Sequence, residues 1–335
     1  MDNSDAISAR CRLWHERRTE PDQACDPGPD RRCQGRERQA GPDVASTRSL
    51  AWISAAMKDG VKLALSCLYF VATRTQRIVL RMLGVAVPLP LVILYYHGIS
   101  ADSRHSFARQ MSSLARWAKV VPADFRTSTA LSSPTVAITF DDAFVSTFDY
   151  ALPQLSARKF PCTIFVPCGN LGRRPGWPME NEAGCDEVVV TAARLRQQSL
   201  DPLVVLGSHG VTHPRFTEIS SETARAELSD SRDIISGITG TDVRLFAFPY
   251  GDHDCGLIRV CQEVGYTHVF TIEPEPVDPQ ADAFVRGRVS VNPGDGRLVF
   301  FLKASGAYAW LVPISRLKRR NRASREDYVP YPEVI

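Results

Sequence analysis

Five short apolar runs set the pattern of this chain: 91–96 (LVILYY), 135–140 (TVAITF), 162–166 (CTIFV), 203–206 (LVVL) and 243–248 (VRLFAF). They are rich in β-branched residues and lack strict polar alternation, which predicts strands buried on both faces. Stretches with helical spacing lie between them, near 104–118, 146–158, 220–236 and 254–264. The best marked of these follows Ser220, with Thr223 and then apolar residues at helical intervals, the pattern of a capped amphipathic helix. Such alternation predicts an α/β fold, either a parallel sheet or a β/α barrel.

The flanks differ from this middle. Residues 1–50 carry nine Arg and nine Asp/Glu with few large apolar side chains. A stretch of that kind cannot bury enough surface to offset its ordering entropy, so 1–56 is expected to be a disordered extension. Met57 then offers an alternative start. The segment 57–87 holds the apolar run 61–73 (VKLALSCLYFVAT) among Lys58, Lys62, Arg74, Arg77 and Arg81. That run falls short of the roughly 20 apolar residues a spanning helix needs. Three readings stay open for it: a buried helix, a basic amphipathic helix on a membrane surface, or a signal-peptide core if Met57 is the true start. A basic tail, 313–335, closes the chain; its run 316–325 holds six positive charges. The segment 58–83 and this tail are the candidate contacts with a membrane. Membrane-associated or cytoplasmic placement is expected, and export if the chain starts at Met57.

Composition narrows the class. With 335 residues, 44% hydrophobic and 23% charged, the chain has material for a full core. Collagen-like, fully disordered and multi-span membrane proteins are excluded. The net charge of +3 is too mild to indicate nucleic acid as partner. Nine cysteines occur without a C-x-x-C pair, so reduced structural thiols are expected.

Candidate chemistry clusters just past the strands. Run 91–96 leads into His97-Gly98, 135–140 into Asp141-Asp142, 203–206 into Gly207-Ser208-His209 with His213 following, and 243–248 into Pro249-Tyr250-Gly251. In parallel α/β architectures the carboxyl ends of the strands form one rim, where active sites gather. Of two adjacent carboxylates, one can bind a metal while the other acts as a base, provided a cation offsets their repulsion. Two histidines and a carboxylate make a facial triad with open positions. Pro214 disfavours a helical His209/His213 pair, so a shaped loop is expected there. His97 has the reference pKa range for proton transfer near neutrality.

The runs TFDDAFVSTFDYALPQL, TIFVP, SHGVTHPRF and FAFPYGDHD, with ILYYHGIS before and FLKASGAYAWL after, resemble the polysaccharide deacetylase (NodB-homology) family, carbohydrate esterase family four. The resemblance covers roughly 88–312, and the early YHG with FAFPYG looks most like the poly-N-acetylglucosamine deacetylase branch. It implies a distorted (β/α) barrel and removal of N-acetyl groups from an acetylated amino-sugar polymer or glycolipid. Carried over by motif, Asp141 is the base, Asp142, His209 and His213 are the metal ligands, and His97 is the acid. Pro249 and Tyr250 line the substrate site, with a backbone group at Tyr250 helping to hold the oxyanion. Zinc is the expected metal, with cobalt, nickel, iron or manganese as alternatives. Trp177, Tyr250 and Trp310 are the candidate sugar-facing aromatics.

Three departures stand out. Ala143 replaces the usual Gly, Gly210 replaces a Ser/Thr, and Ala247 replaces the Arg that orients the base. Arg288 is the expected substitute for that Arg, with Arg286 as its competitor. Two other functions remain open: a glycan-binding protein with weak turnover, and a hydrolase of a non-sugar C–N amide.

Overall fold

The structure is a computed structural model that describes residues 44–85, 87–179 and 186–323. Residues from Ser66 onward form one compact unit. The strands, in chain order, are β1 (Leu91–Tyr96), β2 (Lys119–Val121), β3 (Thr135–Phe140), β4 (Cys162–Val166), β5 (Val204–Ser208), β6 (Leu245–Ala247), β7 (His268–Phe270), β8 (Val285–Arg286) and β9 (Val289–Ser290). The helices are α1 (Val44–Met82), α2 (Arg104–Leu114), α3 (Leu152–Ser156), α4 (Ala192–Gln198), α5 (Ser221–Thr239), α6 (Cys255–Val264), α7 (Arg297–Ala304) and α8 (Val312–Ala323).

All five apolar runs form strands, and each pairs in parallel in the order β8-β7-β6-β5-β4-β3-β1-β9. β2 adds to the start of β3 at 135–137, leaving Thr139 and Phe140 to β4. The two ends of this order, β8 and β9, are separated only by Gly287 and Arg288. The chain itself therefore closes the curled sheet, giving the distorted (β/α) barrel expected. β7, β8 and β9 were not legible beforehand, because two or three residues carry no periodicity.

The strands are buried on both faces. Leu91, Ile93, Ala137, Phe165, Leu245, Ala247 and Phe270 fill the interior, and β1 and β3 contribute alternate residues to it. The outer faces carry Tyr96 and Phe140, which pack with Phe107 of α2. A second outer cluster, Phe216, Phe246 and Phe248, also packs edge to face.

The helices follow local chemistry. Ser220 accepts a hydrogen bond from the Thr223 N–H, and Gly240 at φ 71° ends α5 in the left-handed region. The expected helix 104–118 stops at Leu114, because Lys119–Val121 joins the sheet. The expected helix 146–158 opens as a π turn, Thr147–Ala151, before α3.

The flanking boundaries shift. The expected disordered extension 1–56 is helical from Val44 onward, so α1 runs through the boundary drawn at 57. Residues 1–43 lie outside the described residues. At the other end α8 continues from 312 to 323, across the start of the expected tail, and 324–335 lie outside the described residues.

Gly287 at the seam has no room for a side chain: a Cβ there would lie 2.5 Å from the Glu273 carbonyl oxygen and 2.7 Å from that of Glu275. Gly287→Ala is expected to cost about 1–3 kcal/mol, as overpacking does, and a lowered urea midpoint at unchanged slope would register it.

Candidate metal centre and active site

β3 delivers Asp141 to the rim. Its predecessors Ala137 and Thr139 point inward, and Asp141 extends that register by one step. Across the barrel mouth, Arg288 enters from the seam between β8 and β9. Its guanidinium grips Asp141 with both nitrogens, Nη1 to Oδ1 at 2.6 Å and Nη2 to Oδ2 at 2.9 Å. Nε donates to the Thr271 carbonyl and Nη1 also to Thr139 Oγ1. Its faces lie over Tyr95 at 4.8 Å and Phe165 at 5.2 Å. Burial by itself would raise Asp141; the charge and hydrogen bonds of Arg288, helped by His209 and His97, reverse this and hold it at about 2. Arg286 is not the partner. It donates to the Ala123 and Phe125 carbonyls and bonds His268, bracing the barrel away from the carboxylates.

The next residue turns away. Asp142 has φ 66° and Ala143 φ 48°, so the backbone keeps the left-handed turn that glycine ordinarily supplies. Asp142 then faces His209 and His213 instead of following Asp141. Its Oδ1 lies 3.8 Å from His209 Nε2 and 3.4 Å from His213 Nε2. Burial and the neighbouring Asp141 charge push Asp142 well above the usual carboxylate range. Burial likewise lowers His209 to about 4 and holds His213 well below the ordinary histidine value. Both imidazoles are therefore neutral in the fold, the form that binds metal.

Three ligand atoms, one from each residue, lie within 4.8 Å of one another. Asp142 Oδ1 has no hydrogen-bond partner although fully buried. An orphaned buried carboxylate oxygen facing two neutral imidazoles is costly unless a cation completes it. His209 Nδ1 lies 2.7 Å from the Ala247 carbonyl, which fixes that nitrogen as the protonated one and leaves Nε2 for a ligand. The residues present thus fit a divalent metal of the kind bound by His/His/carboxylate sets.

The loop between the histidines is irregular, as Pro214 predicted, with Gly210 at φ 82° and His213 at φ 60°. Glu227 shapes it from α5. Fully buried, it accepts from the Val211 N–H at 2.7 Å, the Thr212 N–H at 3.1 Å and the Thr212 hydroxyl at 2.5 Å. Sequence reading missed Glu227, although it sits in the buried stripe with Ala224, Leu228 and Ser231. An acid in the apolar register of an amphipathic helix was the available signal.

The other expected residues separate. His97, the residue that follows β1, is exposed. Pro249 is buried. Tyr250, at φ 58°, meets the His213 ring edge-on at 4.8 Å and carries the Arg215 guanidinium at 4.0 Å. Arg215 in turn pairs with Asp252. Trp177 stacks on His213, 4.2 Å between centroids. Trp177, Met179, Thr212, His213, Arg215 and Tyr250 border a cavity of about 520 Å³ beside the triad. Trp310 does not reach it. Its indole N–H is committed to Ser66 Oγ at 3.0 Å, so the expectation of a sugar contact there is corrected.

The strand ends thus carry a clamped carboxylate beside an Asp/His/His cluster that could hold a metal. Residues 129–269 match the family model described as polysaccharide deacetylase. YxkH of Bacillus subtilis (strain 168), named as a polysaccharide deacetylase, is 20% identical over 218 residues, 62% of this chain and 73% of YxkH. The peptidoglycan-N-acetylmuramic acid deacetylase PdaC of the same organism is 27% identical over 166 residues, 49% of this chain but only 31% of PdaC. The structure of IcaB from Ammonifex degensii superposes with TM-score 0.55 at 26% identity, covering 66% of this chain and 97% of IcaB. Over residues 129–269 the chain is thus similar to polysaccharide deacetylases, and it shares the fold of IcaB.

Two outcomes follow for stability. Arg288→Met leaves a buried carboxylate unpaired, at an expected cost of about 3–5 kcal/mol at neutral pH. Since the folded carboxylate sits below its unfolded value, its contribution is present above about pH 4 and lost as pH falls toward about 2, so wild type and variant converge there. Urea unfolding of both proteins across that range checks this. Ala143→Gly releases the left-handed strain and should stabilise by about 1 kcal/mol in the same assay.

Proposed function

We propose that this chain is a metal-dependent hydrolase that removes N-acetyl groups from an acetylated amino-sugar polymer or glycolipid. One observation carries the reading: the Arg288-clamped Asp141 lies directly beside the Asp142, His209 and His213 cluster. Those three residues would hold a divalent ion, zinc by preference, with cobalt, nickel, iron and manganese as alternatives. When bound, such an ion supplies Lewis acidity toward the acetamide carbonyl and lowers the pKa of water.

The remaining work falls to side chains of this chain. Asp141, ionised at neutral pH, takes a proton from the attacking water at a carboxylate oxygen. Arg288 occupies one lone pair on each of its oxygens, so it positions the base and leaves a second acceptor site free. His97 stands exposed at the rim, where it can deliver a proton to the departing nitrogen; without it an amide anion would have to leave. A backbone N–H at Tyr250 is the oxyanion donor by its place in the motif. Trp177 and Tyr250 pack on His213 and border the cavity, so the sugar ring would meet an aromatic wall there. Ala143 and Gly210 leave open a binding protein with weak turnover. The left-handed turn kept at Ala143 supports the enzyme instead.

The test is acetate release from acetylated chitooligosaccharides and poly-N-acetylglucosamine fragments. Chelation should abolish it and added zinc, cobalt or nickel restore it. Asp141→Asn and His97→Ala should each lower kcat by about 10²–10⁴ with metal content unchanged. Stoichiometric metal without acetate release would overturn the sugar-deacetylase reading, and absence of bound metal would overturn the triad.

A further inference from the structure

Helix α1 presents one face to the barrel and another to solvent. Ser66, buried, accepts from Trp310, and Phe70 packs edge-on against Phe301 at 5.3 Å. The opposite face carries Leu68, Val71, Ile78, Val79, Met82 and Leu83, each between 48% and 82% exposed. The first five recur at helical intervals, so they share one side of the helix, interrupted by the exposed Thr75. Ile314 and Leu317 of α8 are two more exposed apolar side chains. Among the described residues no single helix is long and apolar enough to cross a membrane. An apolar strip of this length on water is costly unless something covers it.

The charges beside the strip indicate what covers it. Arg74 and Arg81, both exposed, neighbour Val71 and Ile78 at helical spacing, whereas Arg77 is half-buried on the barrel side and is lowered by that burial and then by the charges of Arg74 and Arg81. Residues 58–126 hold ten Lys/Arg against three Asp/Glu. The chain beyond Leu317 continues with Lys318, Arg319, Arg320, Arg322 and Arg325. A second copy of the chain would bring Arg74 and Arg81 of its own to the same face. An anionic lipid surface would accept the apolar side chains among its acyl chains and place phosphates beside the guanidiniums.

The face also lies away from the chemistry. Arg74, Arg77, Tyr69 and Phe70 line a cavity of about 430 Å³ with Leu89, Pro90, Pro134 and Thr135, at the starts of β1 and β3. The carboxylates and histidines stand past the ends of the strands. We propose that α1, with the start of α8, docks the protein lengthwise on an anionic bilayer, leaving the catalytic rim at the opposite end of the barrel facing the aqueous phase. This docking is independent of the deacetylase reading.

Flotation of the full chain with vesicles tests it. Phosphatidylcholine vesicles containing phosphatidylglycerol should carry the protein at least about tenfold better than pure phosphatidylcholine, and the gain should disappear between about 0.1 M and about 1 M salt. Leu68→Glu/Val79→Glu should lose binding to both vesicles. Arg74→Gln/Arg81→Gln should lose only the anionic preference. All these positions are remote from the triad, so metal content and acetate release on soluble oligosaccharides should match wild type and certify folding. Equal flotation with neutral and anionic vesicles, or none with either, overturns the proposal. So does a wild-type dimer in light scattering that Leu68→Glu/Val79→Glu converts to monomer, which would assign the strip to a second copy.

Discussion

The pairing of Arg288 with Asp141 is the constraint on which the rest of the site depends. Both side chains are almost wholly buried at the barrel mouth, where a lone charge of either sign would be prohibitive. The pair is bidentate and backed by Thr139, Thr271 and two aromatic faces, so the geometry of the carboxylate is determined from every side. It also ties the seam to β3: Arg288 lies where β8 passes into β9, and Asp141 lies at the end of β3, one strand from β1 and two from β9. Ionised Asp141 in turn repels a second negative charge at Asp142, so a cation between Asp142 and the histidines relieves strain that the fold itself creates.

A second device is the set of left-handed residues at the strand ends. Asp142, Ala143, Gly210, His213, Tyr250 and Gly251 all have positive φ. They bend the chain in the loops that follow β3, β5 and β6, and Asp142 and His213 among them supply candidate metal ligands. Most are not glycine, and a non-glycine residue costs about 1–2 kcal/mol there. Burial and hydrogen bonding hold them in place: Glu227 fastens the 210–212 loop, and Trp177 with Tyr250 packs His213 from two sides. The backbone strain and the neutral imidazoles are both maintained by the same dry surroundings.

Much of this was legible beforehand because it is local. The continuous apolar runs became the long strands with little shift, since burial on both faces demands an uninterrupted pattern. The rim residues Asp141, Asp142, His209 and His213 could be named because a parallel sheet sends every strand end to the same side. Trp310 was misassigned because an aromatic reads alike in a core, a helix contact and a sugar site; only Ser66 across from it distinguishes these. The helix from Val44 through the expected boundary was missed because charge-rich composition argued against order.

By itself, then, the sequence determined the fold class, the approximate strands and the residue types that gather at one rim, because periodicity and strand direction are properties of neighbouring residues. The tertiary structure decided between Arg288 and Arg286, separated Asp142 from Asp141, and brought Glu227 under the histidine loop. It also left one side of α1 uncovered. Those outcomes depend on which side chains meet across a closed sheet, and closure joins residues far apart in the chain whose pairing no local pattern encodes.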